Sequence, residues 1–118
     1  MSTIKRKLRS FKPLAFTVNL TAIGKTHADV EDIVCVVKNQ ESDSDSEALR
    51  MTTMADGNSI DANNKILIPW AYDDYDGFRV GGKYKLGVFC KFTGDPVFDE
   101  DVKQIFDLTL IQDMVHDE

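Results

Sequence analysis

The chain of 118 residues is poor in the residue types that define specialised proteins, with two cysteines, two histidines and one tryptophan. Two cysteines, Cys35 and Cys90, are too few for a disulfide-dense secreted scaffold, and no Cys-x-x-Cys or Cys…His spacing indicates zinc. No window approaches the ~18 consecutive apolar residues of a membrane helix. The start MSTIKRKLRSFKPLAF has the cations of a secretory leader, but Lys12 and Pro13 interrupt its apolar run. We therefore expect a cytoplasmic product with reduced thiols.

Charge is distributed unevenly along the chain. Residues 1–12 contain no acid, and their five cations are Lys5, Arg6, Lys7, Arg9 and Lys12. The other 106 residues hold 9 cations and 20 acids, a net charge of -11. This pattern predicts a basic N-terminal arm over 1–12, a folded domain over 13–113 and an acidic tail over 114–118. The arm is either a solvated terminus or a segment that becomes ordered against an acidic partner surface or nucleic acid.

Short apolar segments, alternating or rich in β-branched residues, predict strands. They cover 14–20, 33–37, 49–53, 65–68, 84–92 and 105–111. Pro69 ends the fourth, and turn residues occur at 56–58, 81–82 and 93–96. In the fifth, the side chains predicted to face the core are Tyr84, Leu86, Val88, Cys90 and Phe92, with Lys83, Lys85 and Lys91 on the opposite face. Residues 70–79 are predicted to form a crossover. The list fits an all-β fold, a sandwich or a small barrel.

Candidate catalytic and metal-binding residues lack the patterns that such chemistry needs. His27 lies in the loop-like GKTHADV and His116 near the end, and neither follows a nucleophile motif. Acidic clusters at 43–47, 73–76 and 99–101 are predicted to be solvated loops. An EF-hand with Gly77 at its sixth position would need acids where Tyr72 and Lys83 stand. We predict no catalytic residue, no metal site and no cofactor. Cys35 and Cys90 are interpreted as two buried thiols, or alternatively as a pair bridging two sheets.

Two sets of residues are candidates for binding a partner. The first is the hypothesised partner interface, composed of Lys5, Arg6, Lys7, Arg9, Trp70, Tyr72, Tyr75 and Phe78. Its aromatic members either anchor an interface or fill the end of the core. The second is the segment Lys83 to Lys91, where cations alternate with Tyr84 and Phe89 as in single-stranded nucleic-acid-binding barrels. The acidic remainder of the chain argues against that alternative.

Three segments carry a resemblance to a known family: KPLAFTVNL, DVEDIVCVVKNQESDSDSEALRMTT and NNKILIPWAYDDYDGFRVGGKYKLGVFCKF. In their order, the chain resembles the immunoglobulin-like N-terminal domain of phage baseplate upper proteins and similar small phage and prophage proteins. The resemblance covers about residues 12–112 and contains no catalytic signature. It implies an antiparallel, immunoglobulin-like β-sandwich of about six or seven strands. Because the sequence ends soon after the last predicted strand, we expect it to be without the long appendage by which larger members reach receptor-binding proteins.

The resemblance implies a non-enzymatic role in a virion. We expect a structural or adaptor subunit of the tail or baseplate, made in the host cytoplasm, that contacts other tail, baseplate, neck or capsid proteins. Several symmetry-related copies are expected, and neither a membrane nor nucleic acid is expected as a partner. The alternatives are a small barrel that binds single-stranded nucleic acid and a hydrolase with His27 in a pocket.

Overall fold

Strands form where apolar residues alternate with polar ones or follow one another in β-branched runs. The computed structural model describes residues 2–7, 12–40, 42–70, 78, 81–99 and 102–111. The strands are β1 Ser2–Lys7, β2 Leu14–Thr17, β3 Val30–Lys38, β4 Arg50–Thr52, β5 Ser59–Ile60, β6 Lys65–Ile68, β7 Lys83–Phe92 and β8 Gln104–Ile111. Single 3₁₀ turns occur at Thr21–Ile23, His27–Asp29, Asp45–Glu47 and Met54–Asp56. Within these described ranges there is no α-helix, and no helix is long and apolar enough to cross a membrane.

The strands form two sheets, which confirms the predicted all-β sandwich. One sheet has five strands in the order β1-β8-β7-β3-β4, and the other has three in the order β2-β6-β5. The described residues contain eight strands where six or seven were predicted, the additional ones being β1 and β5. The strand pairs are antiparallel, as predicted, except that β1 and β8 run parallel. The predicted crossover at 70–79 lies almost entirely outside the described residues.

The position of β1 corrects the predicted boundary of the basic arm. Ser2–Lys7 pairs with β8 from Ser2↔Phe106 to Lys7↔Ile111, so these residues belong to the sandwich and not to an arm outside it. Ile4 packs against the core, and Arg6 is 7% exposed. The arginine stem fills apolar space while its guanidinium donates to the carbonyl of Lys12. Residues 8–11 of the predicted arm are not among those described.

The core lies between the sheets, and the predicted side-chain directions are confirmed. Alternate residues of β2 and its extension are buried, namely Leu14, Phe16, Val18 and Leu20. The predicted inner face of β7 is buried at all five positions, and Lys83 on the opposite face is exposed. Lys85 and Lys91 are half-buried on that same opposite face. In β2 and β7 the residues that alternate along the strand thus turn toward the other sheet, as the two-residue period dictates.

The two cysteines lie in one sheet. Cys35 of β3 pairs with Val88, and Cys90 of β7 pairs with Ile33, so the thiols are diagonal neighbours on the core side. Both are free and buried, as the favoured interpretation predicted. The alternative of a pair bridging two sheets is wrong, because β3 and β7 are adjacent strands of the five-stranded sheet.

A buried asparagine fixes the connection from β4 to β5. Gly57 adopts the left-handed conformation at φ 111°, which glycine reaches without steric cost, and the chain then turns inward. The side-chain amide of Asn58 donates to the carbonyls of Ile33 at 2.8 Å and Thr52 at 3.0 Å. The turn at 56–58 was predicted, whereas the burial of Asn58 was not. Its two hydrogen bonds tie the loop that leads to the three-stranded sheet onto β3 and β4.

Candidate protein interface on the outer face of the five-stranded sheet

The outer face of the five-stranded sheet, turned away from the core, carries a row of apolar residues. Val36 of β3 pairs with Met51 of β4 on one side and with Gly87 of β7 on the other, and Gly87 pairs with Ile105 of β8. One row along, Val34 pairs with Phe89. We call the set formed by Val34, Val36, Met51, Phe89, Phe98 and Ile105 the apolar patch. It crosses four adjacent strands, so it is a surface of the sheet and not of one loop.

The connection from β7 to β8 extends the apolar patch. Phe98 stacks edge-on against Phe89 with ring centroids 6.5 Å apart. Val97 is 68% exposed and Phe98 is 38% exposed, and Met51 across the sheet is 47% exposed. These are the larger exposed apolar side chains of the described residues together with Met54. Val34 and Val36 are themselves buried, at 7% and 5% exposure, and Phe89 and Ile105 are half-buried beside the exposed Met51 and Phe98. Exposed apolar residues grouped on one face mark protein interaction sites more often than ordinary surface.

A shallow hollow lies within the apolar patch. Its volume is about 40 Å³, and its lining includes Val36, Gly87, Phe89 and Ile105. Gly87 has no side chain that could fill the hollow. The ring of Phe89 lies close above Gly87. Ligand pockets usually measure roughly 300–1,000 Å³, so this hollow suits one side chain of a partner rather than a bound substrate.

Ion pairs border the apolar patch. Lys85 pairs with Asp107, Lys91 lies 3.8 Å from Glu31, and Lys38 lies 2.9 Å from Asp45. Beyond the Lys85 pair the face becomes polar, in an open depression whose lining includes Thr3, Lys83 and Thr109. The outer face therefore has an apolar centre and a charged border, which is the usual anatomy of a protein interface.

The structure brings together three residues of the hypothesised partner interface, Arg6, Trp70 and Phe78, but inside the protein. Trp70 is 1% exposed, and the guanidinium groups of Arg6 and Arg50 lie 5.2 Å and 4.7 Å from the centre of its ring. Phe78 packs edge-on against Trp70 at 5.8 Å and against Tyr84 at 5.0 Å. Trp70 therefore belongs to the core. Its ring is covered by the two guanidinium groups, so it cannot contact a partner. Phe78 is half-buried against the same core.

The other members of the hypothesised partner interface lie partly on the surface and partly outside the described residues. Lys5 is exposed on β1, so it is available to a partner. Lys7 closes β1, and its side chain is outside the described set. Arg9, Tyr72 and Tyr75 lie outside the described residues.

Residues 42–49, which we call the acidic serine loop, form a turn held together by hydrogen bonds. Ser44 and Glu47 form a capping box in which the Glu47 carboxylate accepts from the Ser44 amide at 3.2 Å and hydroxyl at 2.9 Å. These bonds lower the pKa of the Glu47 carboxyl below its ordinary value of 4.5. The Lys38 ammonium donates to the carbonyl of Asp43 at 2.8 Å. In the described part of the chain, no three His, Cys, Asp or Glu side chains are arranged to hold a metal ion.

The buried thiols and the histidine occupy places unsuited to nucleophilic chemistry. Burial raises the pKa of Cys35 to about 12, with a small opposing effect of the nearby Arg50 charge. Burial also raises the pKa of Cys90 to about 11, and the negative charge of Asp99 adds to the shift. A thiol with such a pKa stays protonated at neutral pH and is a poor nucleophile. His27 is exposed at the start of a 3₁₀ turn and lines neither hollow described above.

Sequence reasoning missed the apolar patch and the core role of Arg50. One signal for the patch was present: Phe89 and Gly87 interrupt the lysines on the outer side of β7. Arg50 gave no signal, because its guanidinium donates at 2.6 Å to the carbonyl of Pro69, which is distant in sequence. The exposure of Val97 and Phe98 depends on the path of the loop after β7, which the turn residues at 93–96 do not determine.

Comparisons with known proteins matched nothing. A scan against known protein families, a search of curated proteins and a search of solved structures each found no match.

Proposed function

We propose that this chain is a non-enzymatic structural adaptor subunit of a phage virion, of the tail or baseplate, that docks neighbouring virion proteins and is present in several symmetry-related copies. The observation that carries the docking role is the apolar patch, with Met51 47% exposed and Phe98 38% exposed on the outer face of the five-stranded sheet. A virion protein in its assembled position buries such a surface against its neighbour. The phage setting rests on the resemblance of residues 12–112 to the N-terminal domain of baseplate upper proteins.

The immunoglobulin-like type is part of this proposal, and the strand order supports it. Immunoglobulin domains place strands B, E and D in one sheet and C, F and G in the other, to which variable domains add C′. The orders β2-β6-β5 and β8-β7-β3-β4 match these when β2 to β8 stand for B, C, C′, D, E, F and G. In antibody domains the disulfide joins B to F, whereas the cysteines here lie on β3 and β7. The likeness is therefore one of strand order and not of the antibody core.

The test is incorporation into particles. The tagged chain is produced together with the genes that neighbour its own, and gradient-purified particles are analysed by mass spectrometry. Met51→Asp places a charge in the apolar patch and should lower incorporation about tenfold, since desolvating it costs about 1.4 kcal/mol or more. Ser59→Asp, an exposed position on the three-stranded sheet, is the matched control and should incorporate normally. Particles that lack the unaltered chain would overturn the proposal.

A second candidate function, binding of single-stranded nucleic acid, is favoured by one observation. Lys83, Lys85, Phe89 and Lys91 lie on one face of β7, as the alternative required. Tyr84, the second aromatic residue of that alternative, is buried on the core side, and Lys85 and Lys91 have acidic neighbours. Fluorescence anisotropy with single-stranded DNA at low and high salt separates the two functions. Tight, salt-sensitive binding would favour nucleic acid, because released counterions make such binding depend on salt.

A further inference from the structure

The edge of the five-stranded sheet formed by β1 is a second interaction surface. Four strands lie at sheet edges, and β1 has six residues against four in β2, three in β4 and two in β5. An edge strand presents backbone amides and carbonyls to which another strand can add by hydrogen bonding. β1 is therefore the longest template that the described sheets offer.

The template is held in position by the core. Ile4 packs against the core cluster, and Arg6 lies over the ring of Trp70. Because these contacts order β1 beforehand, a partner strand would not have to supply the ordering energy itself.

The charge of β1 determines which partner fits. Its sequence, STIKRK, contains three cations and no acid, on a protein with a net charge of -6. Lys5 is exposed on the outer face, as is Thr3. Pairing of β1 with β1 of a second copy would concentrate like charges on two neighbouring strands, which is unfavourable. Lysines on natural edge strands oppose self-association in this way.

We infer that β1 accepts an extended, acidic segment of a partner protein as a sixth strand of its sheet. Strand periodicity places the alternate residues of that segment on the outer face, where acids would meet Lys5, and the others beside Ile4 at the margin of the core. The preferred segment thus alternates acidic and apolar residues. The apolar patch is a different surface, and only the biological setting of this inference rests on the proposed docking role.

The probe is a dye-labelled peptide EVEVEVEV with blocked ends, measured by fluorescence anisotropy on the isolated protein. Its controls are KVKVKVKV, of opposite charge, and EVEPEVEV, in which proline removes a ladder hydrogen bond at the same charge. We expect EVEVEVEV to bind, EVEPEVEV to bind about tenfold more weakly, and KVKVKVKV to show no binding. Backbone hydrogen exchange should slow in β1 upon binding and remain unchanged in β4.

Charge-reversal variants locate the site. Lys5→Glu should weaken binding of EVEVEVEV about tenfold, and Lys65→Glu, an exposed lysine of β6 in the other sheet, should change it less than twofold. Equal binding of EVEVEVEV and EVEPEVEV would reduce the effect to charge attraction and overturn the inference. No binding, or protection confined to the apolar patch, would also overturn it. Because the peptide assay uses no particles, its outcome is independent of the incorporation test.

Discussion

At the scale of single residues, Leu86 tests the assignment of faces on β7. Its side chain is completely buried between the sheets. Leu86→Ala removes buried methyl groups and leaves a cavity, so the free energy of unfolding should fall by about 2–5 kcal/mol in urea denaturation. The exposed neighbour Lys83, changed to alanine, is the control and should alter stability by less than about 0.5 kcal/mol. Equal small effects of both variants would contradict the burial of Leu86.

The two thiols should be unreactive in the folded protein. With their pKa values raised to about 12 for Cys35 and about 11 for Cys90, neither forms thiolate at neutral pH. An aromatic disulfide reagent should therefore react slowly with the native protein and rapidly with two groups in denaturant. Prior reduction is the control and should leave the count unchanged. The same shifts favour the folded state fully below the ordinary thiol pKa of 9.0 and less as the pH rises toward 11. If no thiol reacted in denaturant before reduction, the two cysteines would be joined in a disulfide.

At the scale of elements, the capping box of the acidic serine loop should be visible in a titration. The Glu47 carboxyl has a lowered pKa because Ser44 donates to it through its hydroxyl and its amide. NMR titration should give Glu47 a pKa below 4.5, and Ser44→Ala should raise it toward that value. The sign follows from the lowered pKa: the contact favours the folded loop above the unfolded pKa and is lost as the pH falls through the folded one. Ser42→Ala, in the same loop, should leave the pKa unchanged.

Removal of β1 should destabilise the sandwich. Deletion of residues 2–7 removes the half-buried Ile4 and the Arg6 contact with Trp70, together worth roughly 2–4 kcal/mol. Thermal unfolding followed by circular dichroism should show a lower Tm. Lys5→Gln, which removes one exposed charge of the same strand, should leave the Tm nearly unchanged. An unchanged Tm after the deletion would make the segment the solvated arm that its charge suggested.

The sequence predicted strands well where local pattern decides them and poorly where distant contacts do. β6 was predicted at 65–68, because a short apolar run ends at Pro69, and the structure has Lys65–Ile68. β1 was missed because Ile4 is its only apolar residue. Arg6 is buried because it packs over the ring of Trp70, which lies in another part of the chain. Of the hypothesised interface, Lys5 is exposed, whereas Trp70 is not. Charge and aromaticity identified these residues, but only the fold separates surface from core.

At the scale of the whole molecule, net charge should control solubility. The chain carries a net charge of -6 at pH 7 and has an isoelectric point near 4.8. Near that pH repulsion between molecules vanishes while the apolar patch stays exposed, so light scattering should rise as the pH approaches 4.8. Met51→Asp should reduce the scattering at a pH slightly above that point, and Ser59→Asp is again the control for the added charge. Scattering that is equal for both variants would mean that the patch does not drive association.

The parallel pairing of β1 with β8 has a consequence for how the protein comes to be folded. Ser2 lies opposite Phe106, so β1 waits after its own synthesis for a partner strand made roughly 100 residues later. At ~5–20 residues per second, that delay is ~5–20 s. Closing so long a loop is slow, and it must precede any gain from the pairing. During synthesis β1, the most basic of the described strands, is therefore exposed to any acidic segment nearby. The five-stranded sheet to which it belongs is the last to be completed.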